Sequence, residues 1–148
     1  MIIFQTENFD IIAPEKPHVS RTDGGHVVIN PKISIEDRTK LSPELAKELM
    51  KLTMIVGEAM KIALERGGID IGRINYQDNG NWRHELHIHI YGRAKNAVHQ
   101  KYGTPLAFPA TYEEFEKLPK LEKLTEGDIE EIRKEIERLL GTQKYIHF

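Results

Sequence analysis

The chain has 148 residues, 21 Lys plus Arg against 23 Asp plus Glu, and no cysteine. At 39% hydrophobic and 30% charged, it reads as one globular domain over residues 1–148, neither disordered nor membrane-embedded. Zero cysteine excludes a disulfide scaffold, thiolate catalysis and cysteine-ligated metal, and a net charge of -2 gives no general attraction to nucleic acid.

No uncharged apolar run approaches the ~20 residues of a membrane span, and MIIFQTENFD lacks the basic region and cleavage site of a secretory leader. A cytoplasmic protein without a membrane or an extended nucleic-acid partner is expected. Ile2-Ile3-Phe4 and Phe9–Ala13 are β-prone and read as a hairpin across Thr6-Glu7-Asn8. A Pro- and Gly-bracketed loop, PEKPHVSRTDGG, leads to a strand at His26–Asn30, which Pro31 ends. Ser42-Pro43 is a helix start, serine as N-cap and proline at the first helical position. Leu45, Leu49, Leu52, Val56, Ala59 and Ala63 then make one apolar stripe, closed by Gly67-Gly68.

Two strands follow, about 69–77 and 85–91, joined by a hairpin turn at Asp78-Asn79-Gly80-Asn81. Residues 94–122 read as irregular. Thr125 with Asp128 three residues on resembles a capping box for a last helix, about 126–140, with its stripe at Ile129, Ile132, Ile136, Leu139 and Leu140. Hairpins outnumber crossovers, so the fold class is α+β: a mainly antiparallel sheet, a long helix packed on it and a C-terminal helix.

The chemistry concentrates in RHELHIHIYGR. Strand side chains alternate faces, so Glu85, His87 and His89 are expected on one face and Leu86, Ile88 and Ile90 in the core. Aligned imidazoles fit two chemistries. One is a metal held by Glu85, His87 and His89. The other is phosphoryl transfer, in which one neutral imidazole attacks phosphorus while its neighbour donates to a phosphate oxygen.

Glu85-Leu86-His87-Ile88-His89-Ile90-Tyr91 resembles the His-φ-His-φ-His-φ-φ hallmark (φ hydrophobic) of the histidine triad (HIT) superfamily of nucleotide hydrolases and transferases. Gly25-His26-Val27-Val28-Ile29-Asn30-Pro31-Lys32 is similar to its "GH-VIPK" strand, and the likeness spans about residues 8–93. The resemblance implies a HIT-like core with a C-terminal extension over 94–148, acting at an α-phosphate of a dinucleoside polyphosphate or nucleoside phosphoramidate. By position, His87 matches the nucleophile and His89 the histidine that contacts the phosphate. His18, Gln77, Asn79, Asn81 and Trp82 fall where nucleotide contacts are expected, with His26 packed behind the catalytic strand. It further implies a nucleotide substrate, a homodimer and no cofactor. Two features depart from the pattern: Glu85 replaces the leading histidine, and the "GQ-S/T" phosphate loop is missing. Glu85 is therefore expected to serve as general acid in place of the missing loop donor, or else to turn away and orient His26 or His87 by a hydrogen bond to an imidazole N–H. The rivals are a nucleotide-binding protein without useful turnover and a metal-binding protein.

Overall fold

The computed structural model describes residues 1–148. Five strands, β1 (Ile2–Gln5), β2 (Phe9–Ile12), β3 (His26–Pro31), β4 (Ile71–Gln77) and β5 (Ile88–Ala94), form one sheet in the order β1-β2-β3-β5-β4. Every neighbouring pair is antiparallel. Four helices accompany it: α1 (Pro43–Arg66), α2 (Tyr112–Lys117), α3 (Glu126–Leu140) and α4 (Gln143–Ile146). The fold is α+β, as the pattern of hairpins requires. No helix is long and apolar enough to cross a membrane.

Local chemistry places the two long helices. The Ser42 hydroxyl accepts the Leu45 N–H with Pro43 behind it, and Thr125 and Asp128 exchange both bonds of a capping box. α1 buries Leu52, Ile55, Val56, Ala59, Met60 and Leu64 against one sheet face, and α3 adds Ile129, Ile132, Ile136 and Leu139 to the same core. Leu86, Ile88 and Ile90 reach that core from the chemical strand, so the alternate residues look away from the helices. This alternation is what turns a sheet face into a site.

Three expectations need correction. Strand β5 begins at Ile88, three residues late, because the Leu86 N–H donates to Ile35 O (2.7 Å) in the loop before α1 rather than to β4. The β4–β5 connection is accordingly residues 78–87, a long loop instead of a tight turn at Asp78–Asn81. The segment 94–122 is also ordered by specific bonds. It contains α2, opened by a Thr111/Glu114 capping box, and two buried charges hold it. The Asp23 carboxylate accepts the N–H groups of Val98, His99 and Gln100, each at 2.8 Å. Arg93, buried rather than solvated, donates to Asn75 Oδ1 and to the carbonyls of Lys101 and Thr104.

Two glycines let β3 and β5 meet. Gly24 (φ +125°) lies against Gly92 so closely that a Cβ on either residue would strike the other's backbone. Neither backbone can give without breaking the Gly92 N–H bond to Gly25 O. Gly92→Ala should therefore cost about 2 kcal/mol or more. Gly68→Ala (φ +88°, open space around it) should cost only the left-handed strain of about 1 kcal/mol. Urea unfolding midpoints measure the difference, and equal midpoints for Gly92→Ala and wild type would refute the close approach.

Candidate active site

The sheet face opposite α1 and α3 carries the polar residues in rows. Ile12, Val28, His89 and Gln77 lie side by side across β2, β3, β5 and β4, and His26, Tyr91 and Asn75 form the next row. Above them lies a cavity of about 610 Å³, within the range of small-molecule sites. Its lining includes His18, His26, Gln77, Asn79, Asn81, Trp82, His87 and His89. The structure thus brings together every site residue expected from sequence except one.

The exception is Glu85. It precedes the strand, is exposed, and does not line the cavity. Leu86 and His87 keep the alternation, core and cavity in turn, but Glu85 lies exposed ahead of the ladder, so neither a Glu85 general acid nor a Glu85–His87–His89 metal set is assembled here. Glu85 contributes its backbone instead: His87 Nδ1 lies 2.7 Å from Glu85 O. A carbonyl only accepts, so His87 carries its proton on Nδ1 and has a lone pair on Nε2.

A second set of bonds fixes the neighbouring rings. The His18 backbone N–H donates to His26 Nδ1 (3.2 Å), which places the proton of neutral His26 on Nε2. His26 Nε2 lies 2.9 Å from His89 Nδ1, so it donates there, and His89 must hold its own proton on Nε2. Neither His87 nor His89 has a protein partner at Nε2, and neither atom is sealed from solvent. Two rings with centroids 4.6 Å apart therefore offer the cavity opposite groups, a lone pair from His87 and an N–H from His89.

Burial keeps these rings neutral. It pushes His89 down to about 3 and His18 down to about 4, with further repulsion from neighbouring histidines. His26 lies well below its ordinary value for the same reason, and His87 is lowered mainly by desolvation. His18 closes the group through Nδ1, 2.8 Å from the Tyr91 hydroxyl. The ring nitrogens that do converge as possible metal ligands belong to His18, His26 and His89, all within 4.8 Å of one another. Two of them are already joined by the His26–His89 bond.

Arg83 is a cavity residue that is not among the site residues expected from sequence. It lines the cavity, donates to Asn30 Oδ1 (2.6 Å), and its charge helps hold His87 and His89 neutral. Phe108 and Tyr112 also line the cavity, from the segment expected to be irregular. No carboxylate lines it. His84, His99 and His147 are exposed and lie elsewhere.

The four depressed histidines have a consequence for stability. Their neutral forms are the ones the fold accommodates, so their contribution is complete above the unfolded value of about 6.5. It is lost as pH falls toward about 4 and then about 3. The thermal midpoint should hold steady from pH 8 to 7 and fall progressively below about 6.5. His89→Gln should make the fall shallower. A wild-type midpoint unchanged at pH 5 would contradict the buried neutral cluster.

Comparison with known proteins follows the same lines. The HIT domain family model matches residues 2–96. A histidine triad protein from Bradyrhizobium japonicum superposes with a TM-score of 0.66 at 16% identity, covering 92% of this chain and 90% of that one. A histidine triad protein from Marinobacter aquaeolei VT8 gives 0.64 at 18% identity, over 95% of this chain and 88% of that chain. A zinc-bound histidine triad family protein from Mycobacterium smegmatis gives 0.62 at 19%, over 93% and 84%. A search of curated proteins finds no match to the sequence.

Proposed function

This chain belongs to the HIT domain family, and we propose that it cleaves nucleotides at an α-phosphate through a covalent intermediate on His87. Members of the family are nucleotide hydrolases and transferases. The observation that carries the finer reading is the opposed protonation of His87 and His89 at Nε2. The His87 lone pair attacks phosphorus, a P–N bond forms, and the bond to the leaving group breaks with its electron pair on the departing atom. His89 Nε2–H donates to a non-bridging oxygen as charge gathers there. Arg83, steadied by Asn30, supplies the positive charge that four neutral imidazoles lack. Water then attacks the same phosphorus, returns the electron pair to His87 Nε2 and releases a nucleoside monophosphate. No cofactor enters these steps.

The leaving group follows from what lines the cavity. With no carboxylate there and Glu85 outside it, a leaving group that stabilises its own charge is favoured. Dinucleoside polyphosphates meet that condition better than phosphoramidates, whose amine needs a proton. Incubation with diadenosine tetraphosphate followed by acid quench and mass spectrometry should give an adenylyl group on His87. His87→Ala should lose that adduct and at least about a thousandfold in turnover, the scale of removing a covalent nucleophile. Glu85→Gln retains the carbonyl that orients His87 and should keep most of the activity toward both substrate types. An unmodified His87 during active turnover would refute the reading.

The proposal extends to assembly. β4 is an edge strand with no further strand on its outer side, and Tyr76 on it and Met50 on α1 are exposed. A homodimer that pairs such edges would cover them. Light scattering should return about twice the 17.1 kDa chain mass; a monomer mass at every concentration would contradict it.

A further inference from the structure

The rings around the cavity continue past the histidines. Centroid separations of 4.6, 5.0 and 5.8 Å lead from His87 to His89, from His89 to His18 and from His18 to Trp82. Trp82 is the centre of an aromatic group. Phe115, buried, stacks on it at 5.4 Å, while Phe108 and Tyr112 meet it edge-on at 6.2 and 5.9 Å. No aromatic ring stacks on the second face of the indole. Trp82 and Phe108 are only half-buried and Tyr112 is 53% exposed, and all three line the cavity. A large apolar surface left wet beside a reactive centre is costly unless a ligand covers it.

The wall is also held rigidly. The Gln100 side-chain amide clasps Ala107 with two bonds, accepting its N–H (3.0 Å) and donating to its carbonyl (2.9 Å). The Gln100 backbone N–H is itself bonded to buried Asp23, so Phe108 is fixed through Gln100 to the loop that precedes β3. On the other side the Thr111/Glu114 capping box starts α2. Lys16 then donates to Glu116 O (2.7 Å) with its ammonium 4.8 Å from the centre of the Phe115 ring. Rings fixed in advance lose little entropy when a planar group stacks on them.

We propose that Trp82, Phe108 and Tyr112 form the wall that selects the nucleobase of the substrate. Phe108 and Tyr112 come from the segment after β5, beyond the residues that match the family model, so base selectivity in this chain draws on residues outside that match. The inference rests on the α-phosphate reading of His87. It names what the other end of that nucleotide touches, since a base has a π-face for such rings and a bare sugar phosphate has none.

Trp82 is the sole tryptophan, so intrinsic fluorescence reports directly on the wall. Titration with adenosine 5′-monophosphate should quench it, and ribose 5-phosphate should not. Calorimetry should show the nucleotide binding at least about tenfold more tightly than the sugar phosphate, the effect of one base–aromatic stack. Phe108→Ala and Tyr112→Ala should each reduce that preference severalfold. Gln100→Ala, which removes no ring, should reduce it as well by freeing Phe108. Equal affinity for the two ligands in the wild type, or an undiminished preference in the Phe108 and Tyr112 variants, would overturn the wall while leaving the phosphate site standing. Failure of both ligands to bind would overturn the wall together with the α-phosphate reading.

Discussion

Everything in this site depends on a buried hydrogen-bond sequence that starts from a backbone amide. The His18 N–H is a donor that cannot reverse its role, and it sets the tautomer of His26, which in turn sets that of His89. The Glu85 carbonyl is an acceptor that cannot reverse either, and it sets His87 the opposite way. Side-chain protonation is thus dictated by main-chain geometry. That is why the position of Glu85 in the chain matters more than its carboxylate.

The fold exists to keep these main-chain groups in place. Gly24 and Gly92 allow the loop carrying His18 to close on β5. Asp23, two residues after Val19-Ser20-Arg21 turns toward β3, is wholly buried and binds three amides of the segment beyond β5. Arg21 ties the same turn to the start of α3 through Asp128 at 2.6 and 3.0 Å. The Asp23 and Arg93 charges are not paired with each other as an ion pair; Asp23 is held by backbone amides of the segment beyond β5, and Arg93 by carbonyls of that segment and by Asn75 Oδ1 on β4. That arrangement meets the buried charge with hydrogen bonds, Arg93 Nε excepted, and ties the segment beyond β5 to the loop before β3.

Local signals were legible in the sequence wherever the cause was local. Ser42-Pro43, Thr125 with Asp128, and the Leu and Ile stripes mark α1 and α3 because caps and periodicity are properties of neighbouring residues. The same rule applied at Thr111 and Glu114 would have marked α2. The site was legible to the extent that strand alternation held, which brings His87, His89, Gln77 and His26 to one cavity. It failed at Glu85, where one bond from Leu86 to Ile35 withdraws the chain from the ladder. Partners fifty residues distant leave no trace in the spacing of charges. The engagement of Arg83 by Asn30 is legible only once β3 and β5 are known to be neighbours, and the burial of Arg93 only once the segment beyond β5 is known to fold back over it.

The electrostatic character of the site follows from the same burial. Desolvation that would penalise a charged imidazole leaves His87 a free base at neutral pH, and the cationic side chains lining the same cavity are Arg83 and Lys16. Nitrogen-15 NMR of histidine-labelled protein at pH 7 tests this arrangement most directly, because it distinguishes a protonated ring nitrogen from a bare one. The relay predicts His87 protonated at Nδ1 and bare at Nε2, with His89 protonated at Nε2 and bare at Nδ1. His87 found with its proton on Nε2, or either ring found as imidazolium, would contradict it.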